Sequence, residues 1–154
     1  MAHAQATPDA VPATFRPLDA GEQAQLDGER RHVAQVAARA LGLTDWIMDR
    51  AGLAQLQPLL DRGLVGGDPL LARGLGVVLG DALTCEVDDM DWEMVSDAWG
   101  TDPVVRVAGT SLQVGARDMV LKRLEAGEQP IDLLHLLDGV AAQLQAMLAS
   151  GDYQ

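Results

Sequence analysis

Asp91-Trp92-Glu93-Met94-Val95-Ser96-Asp97, continuing through Ala98-Trp99-Gly100-Thr101-Asp102-Pro103 to Val104-Val105-Arg106-Val107, holds the main clue to the architecture. Trp92, Met94 and Ser96 alternate with Glu93, Val95 and Asp97, the period-2 pattern of a half-buried strand. Gly100-Thr101-Asp102-Pro103 supplies a turn, and Val104 to Val107 a second strand. Gly109-Thr110 supplies another turn into a short third strand over Ser111 to Val114. Two short turns between consecutive strands predict an antiparallel meander.

Helical spacing lies on both sides of this meander. Asp19, three residues before Glu22, has the spacing of a capping box, and Leu26, Val33, Ala37, Ala40 and Leu41 keep one face apolar up to Gly42. Leu53, Leu56, Leu59 and Leu60 predict a second helix over 52–62, in which Pro58 must occupy the first turn or bend it. Asp68-Pro69 reads as the N-cap and first position of a third helix running to about Leu83. After the strands, Met119, Val120, Leu121 and Leu124 return to helical spacing, and Gly127 closes that segment. Pro130 opens a last helix in which Leu133, Leu137, Val140, Leu144 and Met147 recur. The order ααα–βββ–αα predicts an α+β fold, with helices flanking a small antiparallel three-stranded meander. Residues 1–17, with Pro8, Pro12 and Pro17, read as a flexible N-terminal arm, and 18–150 as a single α+β domain.

With 154 residues and 48% hydrophobic side chains, a domain of this size buries roughly 68–70% of its unfolded surface and needs neither disulfides nor a structural metal. Lone Cys85 cannot form an internal disulfide. The net charge of −12 repels phosphate backbones, and only five aromatic side chains are present, so nucleic acid is excluded as an expected ligand. No apolar run reaches the roughly 18 residues of a membrane span. Met1 to Thr14 lacks the charged and apolar regions of a signal peptide, which points to the cytoplasm. Ala2-His3-Ala4 and Ala4-Gln5-Ala6 fit a small-x-small cleavage pattern, however. If Met1 is not native, a periplasmic location is the alternative.

Asp81, Glu86, Asp88, Asp89, Asp91, Glu93, Asp97 and Asp102 place eight carboxylates in 22 residues without one Lys or Arg. An EF-hand begun at Asp89 fails, because Met94 falls where the loop needs Gly and Gly100 where it needs a bidentate Glu. The remaining readings are a solvated connector and strand face, or an acidic face for a basic protein partner. The hairpin residues Asp91, Glu93, Asp97, Trp99 and Asp102 are the expected partner-binding set. Trp92 is expected in the core, and Arg106 in a cross-strand pair with Asp97 or a nearby carboxylate. Gly76 and Gly80 lie on one helix face and predict a close approach of another element. Gly74-Leu75-Gly76-Val77-Val78-Leu79-Gly80 fails as a dinucleotide fingerprint, because its third glycine is one position late and no strand precedes it.

At Leu75-Gly76-Val77-Val78-Leu79-Gly80-Asp81, Trp92, Asp97 to Pro103, Arg106 and Gly109-Thr110 the chain resembles a bacterial family catalogued as domain of unknown function 3806. Pro17-Leu18 and Leu41-Gly42 fit it. So do Met119, Lys122-Arg123, Glu125, Gly127-Glu128, Asp132 and Leu137-Asp138-Gly139-Val140, extending the resemblance over residues 17–140. Trp99 stands where the family pattern suggests tyrosine. The resemblance implies one compact domain and brings no catalytic residues.

His3, His32 and His135 are solitary, so no metal site or cofactor is expected. The leading expectation is a non-enzymatic binding module of immunity or accessory type, masking a basic secreted effector. One alternative is a small hydrolase-type enzyme using carboxylates, or Cys85 beside a histidine, in a cleft. Another is a structural homodimer through the last helix. The expected state is monomer or homodimer.

Overall fold

The computed structural model describes residues 12–153. It is an α+β fold of five helices, a 3-10 turn and a four-stranded antiparallel sheet in the order β1-β2-β3-β4. In chain order these are β1 (Thr14–Arg16), α1 (Ala20–Leu41), α2 (Arg50–Asp61), α3 (Pro69–Glu86), β2 (Met90–Asp97), β3 (Gly100–Val107), β4 (Gln113–Val114), a 3-10 turn (Ala116–Asp118), α4 (Met119–Glu125) and α5 (Leu133–Ser150).

Local signals set the helix starts. Asp19 accepts from the Glu22 amide while the Glu22 side chain returns to the Asp19 amide, completing the capping box of α1. Asp68 caps α3 through the Leu71 amide with Pro69 at the first position, and Gly42 ends α1 at φ +64°. Helix α2 starts earlier than the apolar spacing suggested, because Asp49 caps it through the Gly52 amide. Pro58 therefore lies well inside the helix rather than in its first turn. Helix α5 starts at Leu133, not at Pro130, because Asp132 accepts from the His135 amide and fixes the first turn there.

Helix α3 is the centre of the packing: residues 74–80 are buried without a break, and α1, α4, α5, the 3-10 turn and the sheet all contact it. A helix apolar all round must be enclosed on all sides. Leu133, Leu137 and Leu144 of α5 are buried in this same core, whereas Val140 and Met147 of the same apolar stripe are only partly buried.

The meander β2-β3-β4 is present, with two corrections. Thr14–Arg16 falls in the stretch read as a loose arm and forms β1, with Phe15 opposite Val95. Three residues between Pro12 and Pro17 are too short for a periodic signal. The remainder of the expected arm, together with His3 and the two cleavage-like tripeptides, lies outside the described residues. The first hairpin turns through Ala98 and Trp99, two residues earlier than expected, because Asp97 pairs with Gly100 and Gly100 takes φ +127°. Gly100 to Pro103 then belong to β3.

Pro103 is tolerated in β3 because of its edge. The Val107 amide donates to the Leu112 carbonyl, so alternate residues of β3 (Val107, Val105, Pro103, Thr101) direct their backbone groups toward the β4 side. Strand β4 pairs only Val105 and Arg106. Pro103 thus removes a donor where no strand among the described residues pairs with it, which blunts the open edge.

Candidate functional site

Strand alternation sorts the acidic run. Trp92 faces α3: its indole ring lies where a Cβ on Gly80 would approach to 2.4 Å, and its Nε1 donates to Asp81 Oδ1 at 2.9 Å. Asp91, Glu93, Val95 and Asp97 therefore point away from α3, and Asp102 joins them by pairing opposite Val95. Four of the five expected partner-binding residues share this outer face, and Trp99 stands at the apex of the hairpin.

The carboxylates on that face are differently engaged. Asp91 is exposed and accepts from the Trp92 amide at 2.8 Å. Glu93 pairs with Arg106 at 3.2 Å, both half-buried, so Arg106 meets its carboxylate diagonally and not at Asp97. Arg106 also donates Nε to the Thr110 carbonyl and lies 3.9 Å from the centre of the Phe15 ring, tying β1, β2 and the β3–β4 turn together. Asp97 accepts from the Trp99 amide at 2.8 Å, a side-chain turn that braces the apex. Asp102 is exposed. Trp99 leaves 79% of its surface to solvent, more than any other large apolar side chain among the described residues. An indole this exposed at a braced apex carries little fold stability and large contact area.

Other members of the run lie elsewhere. Asp81 takes a two-pronged bond from Arg30, Nη2 to Oδ1 at 2.7 Å and Nε to Oδ2 at 2.9 Å, with both side chains largely shielded. Glu86 sits 3.7 Å from Arg50. Asp88 and Asp89 are exposed where α3 turns into β2, with Asp89 at φ +62°. A second internal pair has no counterpart in the sequence reading: Glu29 of α1, 4% exposed, grips Arg117 of the 3-10 turn at 2.8 and 2.6 Å. That hydrogen bonding, against an opposing effect of burial, raises the Arg117 pKa above the ordinary arginine value. Both pairs have a weak sequence signal, since Glu29 occupies the apolar stripe Leu26, Val33, Ala37 and Asp81 ends the uninterrupted apolar run from Gly74 to Gly80.

Gly76 and Gly80 are both points of close approach to α3. A Cβ on Gly76 would lie 2.3 Å from the Arg117 carbonyl oxygen, so the glycine admits the 3-10 turn, while Gly80 admits Trp92. The chain leaves the sheet after Val114 to reach that contact. This departure opens a cleft of about 350 Å³ between the hairpin and the segment from Gly115 to Lys122. Asp97 and Asp102 lie on its hairpin wall, Arg117, Asp118 and Lys122 on the other; Arg106, paired with Glu93, does not line it. Cys85 is exposed near the end of α3. His32 pairs with Asp68 at 2.9 Å. Among the described residues no three His, Cys, Asp or Glu side chains form a group that could hold a metal ion, and no helix is long and apolar enough to cross a membrane.

A family model described as a domain of unknown function, DUF3806, matches residues 53–134, just over half of the chain. A crystal structure from Bacteroides thetaiotaomicron VPI-5482 is similar in fold, with a TM-score of 0.72 and 20% identity. The match covers 84% of this chain and 47% of that one, so this chain spans about half the length of that structure. No curated protein matches the chain.

Proposed function

We propose, from the premise that the chain belongs to the DUF3806 family, that it is a non-enzymatic module that binds a basic protein through its acidic hairpin. The supporting observation is Trp99, 79% exposed at the hairpin apex beside two carboxylates, Asp97 and Asp102, on a sheet face turned away from α3. A rigid, exposed indole is the commonest kind of interface anchor, and flanking charge steers encounter and excludes partners of like sign. In its most specific form the module acts as an immunity or accessory protein that covers a basic effector. Glu93 serves the face indirectly, since its pairing with Arg106 holds the strands in register. Asp91 contributes field rather than contact, since it lies eight residues before Trp99 at the apex.

The test is affinity capture from the source cells with the wild-type chain, Trp99→Ala, and the double variant Asp91→Asn with Asp102→Asn. The reading expects a basic partner retained by the wild type, lost with Trp99→Ala, and weakened by the double variant and by added salt. A partner held equally by all three chains overturns it.

A further inference from the structure

The cleft beside the hairpin combines three features. Its hairpin wall carries Asp97 and Asp102, and the facing wall carries Lys122, the only lysine in the chain, and Arg117. Asp118, on the same wall as the cations, lies 3.9 Å from Arg73. Glu29 engages Nε and Nη2 of Arg117 from behind and fixes the guanidinium; among the described residues Nη1 makes no hydrogen bond and Lys122 has no carboxylate within 4 Å. The hairpin wall is thus acidic, and the facing wall presents two cations beside one carboxylate, Asp118, a net positive charge. The third feature is backbone: on the β4 side of β3, Pro103, which lines the cleft, offers a carbonyl and nearby Thr101 an amide and a carbonyl, and no strand among the described residues pairs with them.

A ligand satisfying all three is extended, presents backbone hydrogen-bonding groups, ends in an anion and carries a cation a short distance before that end. We infer that the cleft receives the carboxyl-terminal end of a protein chain, with the terminal carboxylate on Lys122 and Arg117 and a preceding Lys or Arg side chain on Asp97 and Asp102. Capture of chain termini and addition along a sheet edge are recurring modes of peptide recognition, and a planar guanidinium held from behind suits a carboxylate. The missing amide of Pro103 limits the edge to a short segment, matching a cleft of about 350 Å³. This inference rests on the basic-partner reading and adds which part of the partner enters.

The probes are fluorescein-labelled hexapeptides with Arg at the third position from the end and a randomised last residue, made as free acid and as carboxyl-terminal amide, followed by anisotropy. The free-acid pool is expected to bind, with amidation and Lys122→Gln each weakening it by about tenfold, the scale of one charge-assisted hydrogen bond. Replacing the probe's Arg by Glu should abolish binding, and Arg31→Gln, an exposed charge change on α1, should leave it unchanged. Lys122, reductively methylated with carbon-13, reports occupancy by a shift of its dimethylamine signal, while Arg117 is left intact because Glu29 depends on it. Free acid and amide binding alike, neither binding at millimolar concentration, or a methyl signal unmoved by a bound probe each overturn the inference. If the probes fail while capture still depends on Trp99, the cleft is refuted and the hairpin reading stands. If the probes bind while capture ignores Trp99, the converse holds.

Discussion

Adding one methyl group at two glycines should shift stability in opposite directions. At Gly76 a new Cβ would stand 2.3 Å from the Arg117 carbonyl oxygen and 2.5 Å from that of Ala116, where ordinary contact begins at 3.4 Å. The obstacles are backbone atoms of the 3-10 turn, which Glu29 anchors through Arg117, so no side-chain rotation relieves the clash. Shifting a packed segment by about 1 Å is an overpacking problem costing roughly 1–3 kcal/mol or more, against a gain of at most about 1 kcal/mol from better helix propensity. At Gly139, exposed in α5, nothing lies within 4 Å of the new carbon, so only the propensity gain remains, about 0.5–1 kcal/mol. For a chain of this size a net loss near 2 kcal/mol lowers the melting temperature by about 4–8 °C, and Gly139→Ala raises it by up to about 4 °C. Urea unfolding followed by tryptophan fluorescence, with calorimetry for the midpoint, measures both. Gly76→Ala as stable as the wild type, or Gly139→Ala as damaging as Gly76→Ala, would refute the claim that close approach to α3 requires the glycine.

Asp81→Asn should destabilise by about 1–3 kcal/mol in the same urea assay, because it removes the shielded carboxylate from the Arg30 guanidinium and leaves only the half-exposed Asp27, 2.7 Å away, as counter-charge; Trp92→Phe, which removes only the indole donor to Asp81, should cost roughly 1 kcal/mol beyond its change in ring size. Hydrogen bonds from Arg16 and from the Asp19 amide pull the Glu22 carboxyl from 4.5 down to about 2. Its folded value therefore lies below its unfolded one, so the support it gives to the start of α1 is fully present above pH 4.5 and is lost as the pH falls through about 2. A carboxyl NMR titration should show that low midpoint, rising toward 4.5 in Arg16→Ala; a wild-type midpoint at the ordinary value contradicts the geometry. Burial pushes the Asp68 carboxyl up, but hydrogen bonds from His32 and the Leu71 amide outweigh it and leave the pKa lowered. Asp68→Ala should cost about 0.5–2 kcal/mol by uncapping α3, measured by chemical denaturation, whereas Trp99→Ala should leave the unfolding midpoint unchanged.

What the sequence disclosed follows the range of the forces involved. Caps act over three or four residues, so Asp19, Asp68 and the C-terminal Gly42 are legible in a short window. The alternation from Trp92 to Asp97 reports which side chains share a sheet face and sets Trp92 apart from the outward carboxylates, although Val95 on the outer face is buried as fully as Met94 on the inner one. The turn was misplaced because Gly100, Asp102 and Pro103 are all turn formers; what places the bend at Ala98-Trp99 is pairing of Asp97 with Gly100, a property of two strands together. Strand β1 has no independent signal, since three residues gain their conformation from β2. The largest omission, the Arg30–Asp81–Trp92 and Glu29–Arg117 contacts, joins residues 51 and 88 positions apart in its two arginine–carboxylate links. Counting carboxylates in a window assigned Asp81 to solvent; its partner on α1 could be chosen only once Gly74, Gly76 and Gly80 had brought α1, the 3-10 turn and β2 against α3. The same three glycines explain why the candidate cleft was illegible. Its walls come from β3 and from the segment after β4, and they part because Gly76 draws the chain out of the sheet at Gly115. The packing demand of a buried helix thus both exposes the edge of β3 and brings Arg117 and Lys122 to face it.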